Sequence, residues 1–225
     1  MLSFAEQIYL LALDEDTGKV MPDARDPVLG TILIGAVLTE LTFLKKISTD
    51  KEHLYILDTT LTKSQILNDI LKILKESHER AARIDQVLLA LMSHAKRIEK
   101  LVLAELLKKG ILAEVDKKIL WIFPDRRYPL INDEEIANIE IRIRNLVLSN
   151  DNPNPKDAAL VSLLHASNLF AKILASSELS SCEKRIVQLS KKCNIGEKID
   201  ELIYKIRDLP DSPYPDCLTE EDTIE

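Results

Sequence analysis

The clearest structural signal in the chain is residues 96–123, KRIEKLVLAELLKKGILAEVDKKILWIF. Apolar positions recur at helical spacing up to Gly110, and a glycine suits a helix C-terminus. The residues after Gly110 predict a hairpin whose second strand is almost wholly apolar. Residues 37–57 repeat the pattern more weakly, since Val37–Leu41 resembles Val102–Leu106. A helix followed by a hairpin, used twice, is typical of winged nucleic-acid binders and of scaffold or adaptor domains. We therefore expect a binding surface rather than a catalytic centre.

The composition predicts a mainly α-helical single domain. Hydrophobic residues make up 46% of the chain and aromatic residues 4%, and Leu, Ile, Lys and Glu dominate, which favours helices. No change of composition divides residues 1–207, so we expect one compact helical domain with short β-hairpins near 47–57 and 111–123. A helix over 156–175 is apolar nearly all round and is expected in the centre. Capping pairs mark four helix starts: Ser3 with Glu6, Thr62 with Gln65, Asn132 with Glu135, and Asn154 with Pro155.

The acidity of the chain lies in residues 208–225. The net charge is −7, and this tail holds seven acids and no base, namely Asp208, Asp211, Asp216, Glu220, Glu221, Asp222 and Glu225. Its prolines and few apolar residues predict disorder, and we expect residues 211–225 to be dispensable for folding. The rest of the chain is electrically balanced, which argues against a nucleic-acid footprint.

The sequence carries no pattern typical of an enzyme or a metal site. Asp14–Gly18 begins like a calcium loop, but its later positions fail the register. Cys182, Cys193 and Cys217 lack metal-ligand spacing and are expected to be reduced thiols. His165 lies on the apolar helix without a marked acid or nucleophile as partner, and no Gly-rich phosphate loop occurs. We predict no enzyme activity, no cofactor and no metal.

Two apolar segments bear on location. The N-terminal segment is interrupted by Glu6 and Asp14 and does not fit a signal peptide. Val28–Leu44 is short for a membrane span and contains Glu40, so we expect a buried helix. A cytoplasmic location is predicted, with peripheral contact to the cytosolic face of a membrane left open.

The helix that starts near Lys96 carries a candidate anion site. Lys96, Lys100 and in part Arg97 share one face, and Glu99 interrupts it. This pattern fits either a phosphate-binding surface or the solvated face of an ordinary amphipathic helix.

The run Ile119–Phe123 is a candidate partner surface. A half-buried strand alternates apolar and polar residues, whereas this run is apolar throughout. Either both faces are covered, or one is offered to a partner or a membrane. Core packing is the preferred interpretation, but Trp121, the single tryptophan, makes this run the best candidate for a partner surface because tryptophan is enriched at interfaces.

Six short segments recur in a characteristic order: LSFAEQIYLLAL at 2–13, LTEL at 38–41, LLKKGIL at 106–112, WIF at 121–123, YPL at 128–130 and LLHAS at 163–167. Together they make residues 2–207 resemble the Golgi phosphoprotein 3 family. The resemblance implies a mostly helical domain with a protruding hairpin used in self-association. The residues at the hairpin are Leu120, Trp121, Ile122 and Phe123.

The resemblance also implies a pocket for the phosphatidylinositol 4-phosphate headgroup. The family uses one tryptophan and three arginines, and those positions hold Arg25, Ile34, Lys96 and Glu99. Because Ile34 is apolar and Glu99 is acidic, we expect a degraded pocket with weaker, less specific binding of anionic lipid. These departures also suit a bacterial member, in which that lipid is not expected. The candidate lipid-binding residues are Arg25, Lys96, Arg97 and Lys100.

The resulting hypothesis is a non-enzymatic peripheral membrane or adaptor domain that forms homo-oligomers. Its expected partners are anionic phospholipid headgroups and protein partners such as the cytosolic tails of membrane proteins. One alternative is a cytosolic protein-interaction scaffold without lipid binding, and another is a winged-helix-like nucleic-acid binder. The balanced charge of the body, with Glu99 and Glu105 on the helix that would read the nucleic acid, argues against the last.

Overall fold

Ten α-helices dominate the part of the chain that the structure describes, which confirms the predicted mainly α class. The computed structural model describes residues 2–25, 27–77, 81–119, 123–131 and 134–207. The helices are α1 (Phe4–Leu11), α2 (Val28–Phe43), α3 (Gln65–Ser77), α4 (Ile84–Met92), α5 (Ala95–Lys108), α6 (Glu134–Leu148), α7 (Pro155–Ser167), α8 (Phe170–Ile173), α9 (Ser176–Ser190) and α10 (Asn194–Arg207).

The described strands form three small antiparallel sheets. They are β1 (Leu13–Asp14) with β2 (Lys19–Val20); β3 (Ile47–Thr49), β4 (His53–Ile56) and β5 (Ala81–Arg83); and β6 (Val115–Ile119) with β7 (Phe123–Arg127). The hairpin predicted near 47–57 is confirmed as β3 and β4. It gains β5 as a third strand, because Ala81–Arg83 pairs along His53–Tyr55.

The second hairpin lies further along the chain than predicted. The sequence predicts it over 111–123, with 119–123 as one apolar strand, whereas β6 and β7 lie within 115–127. Their register pairs Ile119 with Phe123, so these residues belong to opposite strands. The prediction of one continuous apolar strand is therefore wrong.

The displacement has its cause at the base of this hairpin. Gly110 ends α5 with φ +68°, and Leu112 then forms an isolated bridge with Leu130. Leu112 is buried, so the apolar residues after Gly110 join the core instead of starting the hairpin. The middle of the predicted apolar strand, Leu120, Trp121 and Ile122, lies outside the described residues.

The centre of the domain contains α2 and α7, which pack against each other. Nearly every residue of α2 is buried, as predicted for the segment Val28–Leu44. The helix predicted over 156–175 is interrupted, since α7 ends at Ser167 with Asn168 as its C-cap, and α8 begins at Phe170. Asn168 has φ +60°, a left-handed conformation that asparagine tolerates better than most residues. Among the described helices, none combines the length and hydrophobicity of a membrane span.

Helices α2 and α5 run parallel, and α1 runs antiparallel to both. The backbone N–H of Phe4, at the start of α1, donates to the Glu40 carboxylate near the end of α2 at 3.1 Å. Lys109, the C-cap residue of α5, forms an ion pair with Glu6 in the first turn of α1. The start of α1 thus lies beside the ends of α2 and α5, so α2 and α5 begin together at the opposite end of the domain.

Candidate anion-binding surface

Arg25 is held at the entrance to α2 by its own backbone and side chain. It caps the short 3₁₀ helix Pro22–Ala24, and its carbonyl accepts a hydrogen bond from the N–H of Val28 at 2.9 Å. Its Nε donates to the carbonyl of Val20 at 3.4 Å. The side chain is exposed, so its positive charge is presented to solvent beside the first turn of α2.

The start of α5 lies close to the first turn of α2. The hydroxyl of Thr31, in that turn, is 3.3 Å from the sulfur of Met92, the last residue of α4. α5 begins three residues later, at Ala95. Neither α2 nor α5 has a side-chain cap or an acid in its first turn. Among the described residues, the partial positive charge of both helix starts is therefore directed towards this end of the domain.

Of the cations predicted on α5, two belong to this end and one faces elsewhere. Lys96 and Lys100 are one turn apart and exposed, so they share a face. Arg97 is also exposed, but its guanidinium lies 2.7 Å from the Asp69 carboxylate of α3. That ion pair offsets the charge of Arg97. We call Arg25, Lys96 and Lys100, together with the starts of α2 and α5, the cationic end.

Glu99 adds a negative charge to the same end. Its side chain is half-buried beside Tyr9 of α1, which is only 2% exposed. Burial, followed by the charge of Glu99 and the neighbouring Tyr128, raises the pKa of Tyr9 far above its usual value. Tyr9 therefore stays a neutral hydroxyl, and it does not compensate the carboxylate.

Ile34 does not belong to any surface. It lies in the middle of α2 and is 1% exposed, within the hydrophobic core. The position that the resemblance assigns to a headgroup arginine therefore contributes to packing. The structure brings Arg25, Lys96 and Glu99 to one end and leaves Ile34 inside.

Sequence reasoning missed two cavities at the other end of the domain, where α1 begins and α2 ends. One has a volume of about 570 Å³, and Phe4, Glu40 and Lys156 are among its lining residues. The other has about 440 Å³ and lies beside Phe43 and Cys193. Burial raises the pKa of the Cys193 thiol, which keeps it protonated. The lining comes from several distant segments, so no local pattern could have marked these cavities.

The described residues hold no cluster of three or more His, Cys, Asp or Glu side chains suited to a metal ion. The charged feature that the resemblance and the fold share is the cationic end, at the parallel starts of α2 and α5. The fold and this surface together describe a helical domain with a candidate anion-binding end.

The model of one protein family, Golgi phosphoprotein 3 (GPP34), matches residues 4–206. The chain therefore belongs to the Golgi phosphoprotein 3 family, and the resemblance drawn from the sequence is confirmed. None of the curated proteins compared with the chain matches it.

Proposed function

We propose that this domain is a non-enzymatic peripheral membrane module that binds anionic phospholipid headgroups at its cationic end. The observation that carries the proposal is the parallel start of α2 and α5, which places Arg25, Lys96 and Lys100 at one end of the domain. Phosphate oxygens favour such a place because cationic side chains and helix starts act on them together.

The proposed binding is weak and strongly dependent on salt. A basic residue near an anionic membrane contributes about 1 kcal/mol, so three of them contribute about 3 kcal/mol at low salt. The half-buried carboxylate of Glu99 subtracts from this attraction. Exposed charges are screened beyond about 10 Å at moderate ionic strength, so added salt should release the protein.

The proposed site has little preference for phosphatidylinositol 4-phosphate. A phosphomonoester needs several donors converging on it. At the four positions implied by the resemblance, Ile34 is core and Glu99 is acidic, which leaves Arg25 and Lys96. Two cations at an open end attract charge in general rather than one headgroup geometry.

The hairpin of β6 and β7 is proposed as a second contact, for self-association or for the membrane. The support is the apolar sequence of the run Ile119–Phe123, together with the pairing of Ile119 with Phe123. An apolar hairpin end in each copy is suited to a symmetric dimer or to insertion among headgroups.

Sedimentation with vesicles tests the proposal. Three vesicle types are compared at low and high salt: phosphatidylcholine alone, phosphatidylcholine with phosphatidylserine, and phosphatidylcholine with phosphatidylinositol 4-phosphate at equal total charge. We expect recovery with both anionic vesicles at low salt and loss at high salt. Tight binding to phosphatidylinositol 4-phosphate alone would contradict the degraded pocket, and no recovery at low salt would contradict lipid binding.

A protein-interaction scaffold is the second candidate, and the two cavities favour it. The larger one combines the apolar side chains of Phe4, Val37 and Leu160 with a charged rim that includes Lys63 and Lys109. Such a mixture suits a protein segment better than a lipid chain. This function predicts no vesicle recovery in the same assay.

Duplex DNA, added as a third ligand at both salt concentrations, tests the nucleic-acid alternative, for which we expect no binding.

A further inference from the structure

Helix α10 runs antiparallel to α2, so its C-terminal half points towards the end of the domain where α2 begins. Near its start, Cys193 lies beside Thr39 of α2. Six residues further on, Ile199 packs so closely on α2 that a Cβ at Gly35 would lie 2.6 Å from the Cγ1 of Ile199. As the residue numbers rise along α10, they therefore fall along α2.

The remaining length of α10 matches the length of α2 back to its first turn. From Ile199 to Arg207 the helix rises about 12 Å, at about 1.5 Å per residue. From Gly35 back to Val28, α2 spans about 10 Å by the same measure. Residue 208 thus follows a helix long enough to end level with Val28, three residues after Arg25.

The segment that follows has the opposite charge to the cationic end. Residues 208–225 contain seven acids and no base. Helix α4 packs on α10, and the two residues 93–94 connect α4 to α5. Neighbouring helices lie about 10 Å apart, so two such spacings put α10 roughly 20 Å from the start of α5. The tail spans at most about 60 Å when extended, so its acids can reach Lys96 and Lys100.

We infer that residues 208–225 bind the cationic end of their own domain and compete there with anionic headgroups. The competition, although not the contact itself, rests on the proposed function. A short tether gives the acids an effective concentration of about 1 mM or more, which favours even a weak intramolecular contact. The membrane must then displace the tail, and a vesicle with a higher surface charge does so more effectively.

The contact is tested without lipid by zero-length carbodiimide crosslinking of carboxylates to amines, read by mass spectrometry. We expect crosslinks from residues 208–225 to Lys96 or Lys100 and few to Lys184, an exposed lysine on α9. Mixing isotopically labelled and unlabelled chains separates contacts within one chain from contacts between copies. Crosslinks only between copies, or equally to Lys184, would overturn the inference.

The competition is tested with a variant whose seven tail acids are replaced by the matching amides. The control is a tail of scrambled order with all its acids, because a contact based on charge survives scrambling. At low salt the neutralised tail should bind phosphatidylserine vesicles at least about threefold more tightly than the natural chain, and the scrambled tail should not.

The failures of the two proposals are distinguishable. If the crosslinks form but no variant binds vesicles, the proposed lipid function fails and the tail contact stands. If all variants bind vesicles alike and no tail crosslink to Lys96 or Lys100 forms, the lipid function stands and this inference fails.

Discussion

At the scale of single residues, the balance of the cationic end depends on Glu99. Lys96 and Lys100 flank it on the exposed face of α5, while its own side chain is half-buried beside Tyr9. The raised pKa keeps Tyr9 in its neutral form, so Tyr9 brings no positive charge that would offset the carboxylate of Glu99. The sequence alone indicated that Glu99 interrupts a basic face, but its place beside Tyr9 depends on how α1 packs.

Replacing Glu99 by Gln should strengthen binding to phosphatidylserine vesicles by about fivefold at low salt, since one removed charge is worth about 1 kcal/mol at such a surface. Vesicle sedimentation measures the change. The matched control is Glu105→Gln, at the other end of the same helix, which should leave recovery unchanged. Equal gains from both substitutions would mean that net charge, rather than this end, controls binding.

Asp58 provides a pH-dependent contribution to stability. Hydrogen bonds from Lys46 and from the backbone and hydroxyl of Thr60 lower the pKa of Asp58 from 3.8 to about 2. A depressed pKa stabilises the fold above the unfolded-state value, and this contribution fades as the pH falls from about 4 towards 2. Asp58→Asn should therefore destabilise the protein at pH 6 and do so less at pH 3. Urea unfolding at both pH values measures this; equal differences would contradict the shift.

At the scale of elements, local signals predicted the starts of α1 and α7, whereas Thr62 lies before Ser64 at the start of α3 and Asn132 lies outside the described residues. Ser3 and Glu6 form the predicted capping box, and Asn154 caps α7. β5 has the sequence Ala-Ala-Arg, without strand propensity, and forms because β4 offers it an open edge. The displaced second hairpin likewise follows from Leu112 entering the core. No local pattern contains these tertiary contacts.

The approach of α10 to α7 should be intolerant of a methyl group. A Cβ at Gly196 would lie 1.9 Å from the hydroxyl oxygen of Ser162 in α7. We expect Gly196→Ala to cost about 1–3 kcal/mol through overpacking. Gly110→Ala is the comparison, since a Cβ there meets no atom within 4 Å and costs only the left-handed backbone, about 1 kcal/mol. Thermal melts rank the two; a larger loss at Gly110 would contradict this packing.

The hairpin end is expected to act between molecules. Trp121→Ala combined with Phe123→Ala should weaken self-association or vesicle recovery more than it lowers stability, because the apolar run Ile119–Phe123 is proposed to contact another subunit or a membrane. Sedimentation and thermal melts on the same double variant measure both effects. Unfolding by several kcal/mol with an unchanged association state would instead place these rings in the core.

At the scale of the whole molecule, the two ends of the domain differ in their chemistry. The starts of α2 and α5 bring cations together, whereas the cavities lie where those helices finish. The net charge of −7 conceals this arrangement, because the acids of residues 208–225 account for all of it. Family membership was readable from the sequence, since its segments recur in order along residues 4–206. The difference between the two ends of the domain could not be predicted from the sequence, because it depends on α2 and α5 running parallel.

The most direct measurement of the central claim reverses charge at one end and not at the other. The first variant reverses two charges at the cationic end, by Lys96→Glu and Lys100→Glu. The second variant makes the same change in net charge at exposed positions on and just after α9, by Lys184→Glu and Lys191→Glu. Both variants are sedimented with phosphatidylserine vesicles at low salt. Removal and reversal of two charges should lower the affinity of the first variant by more than about tenfold and leave the second close to the natural chain. Equal losses in the two variants, or none in the first, would contradict binding at the cationic end.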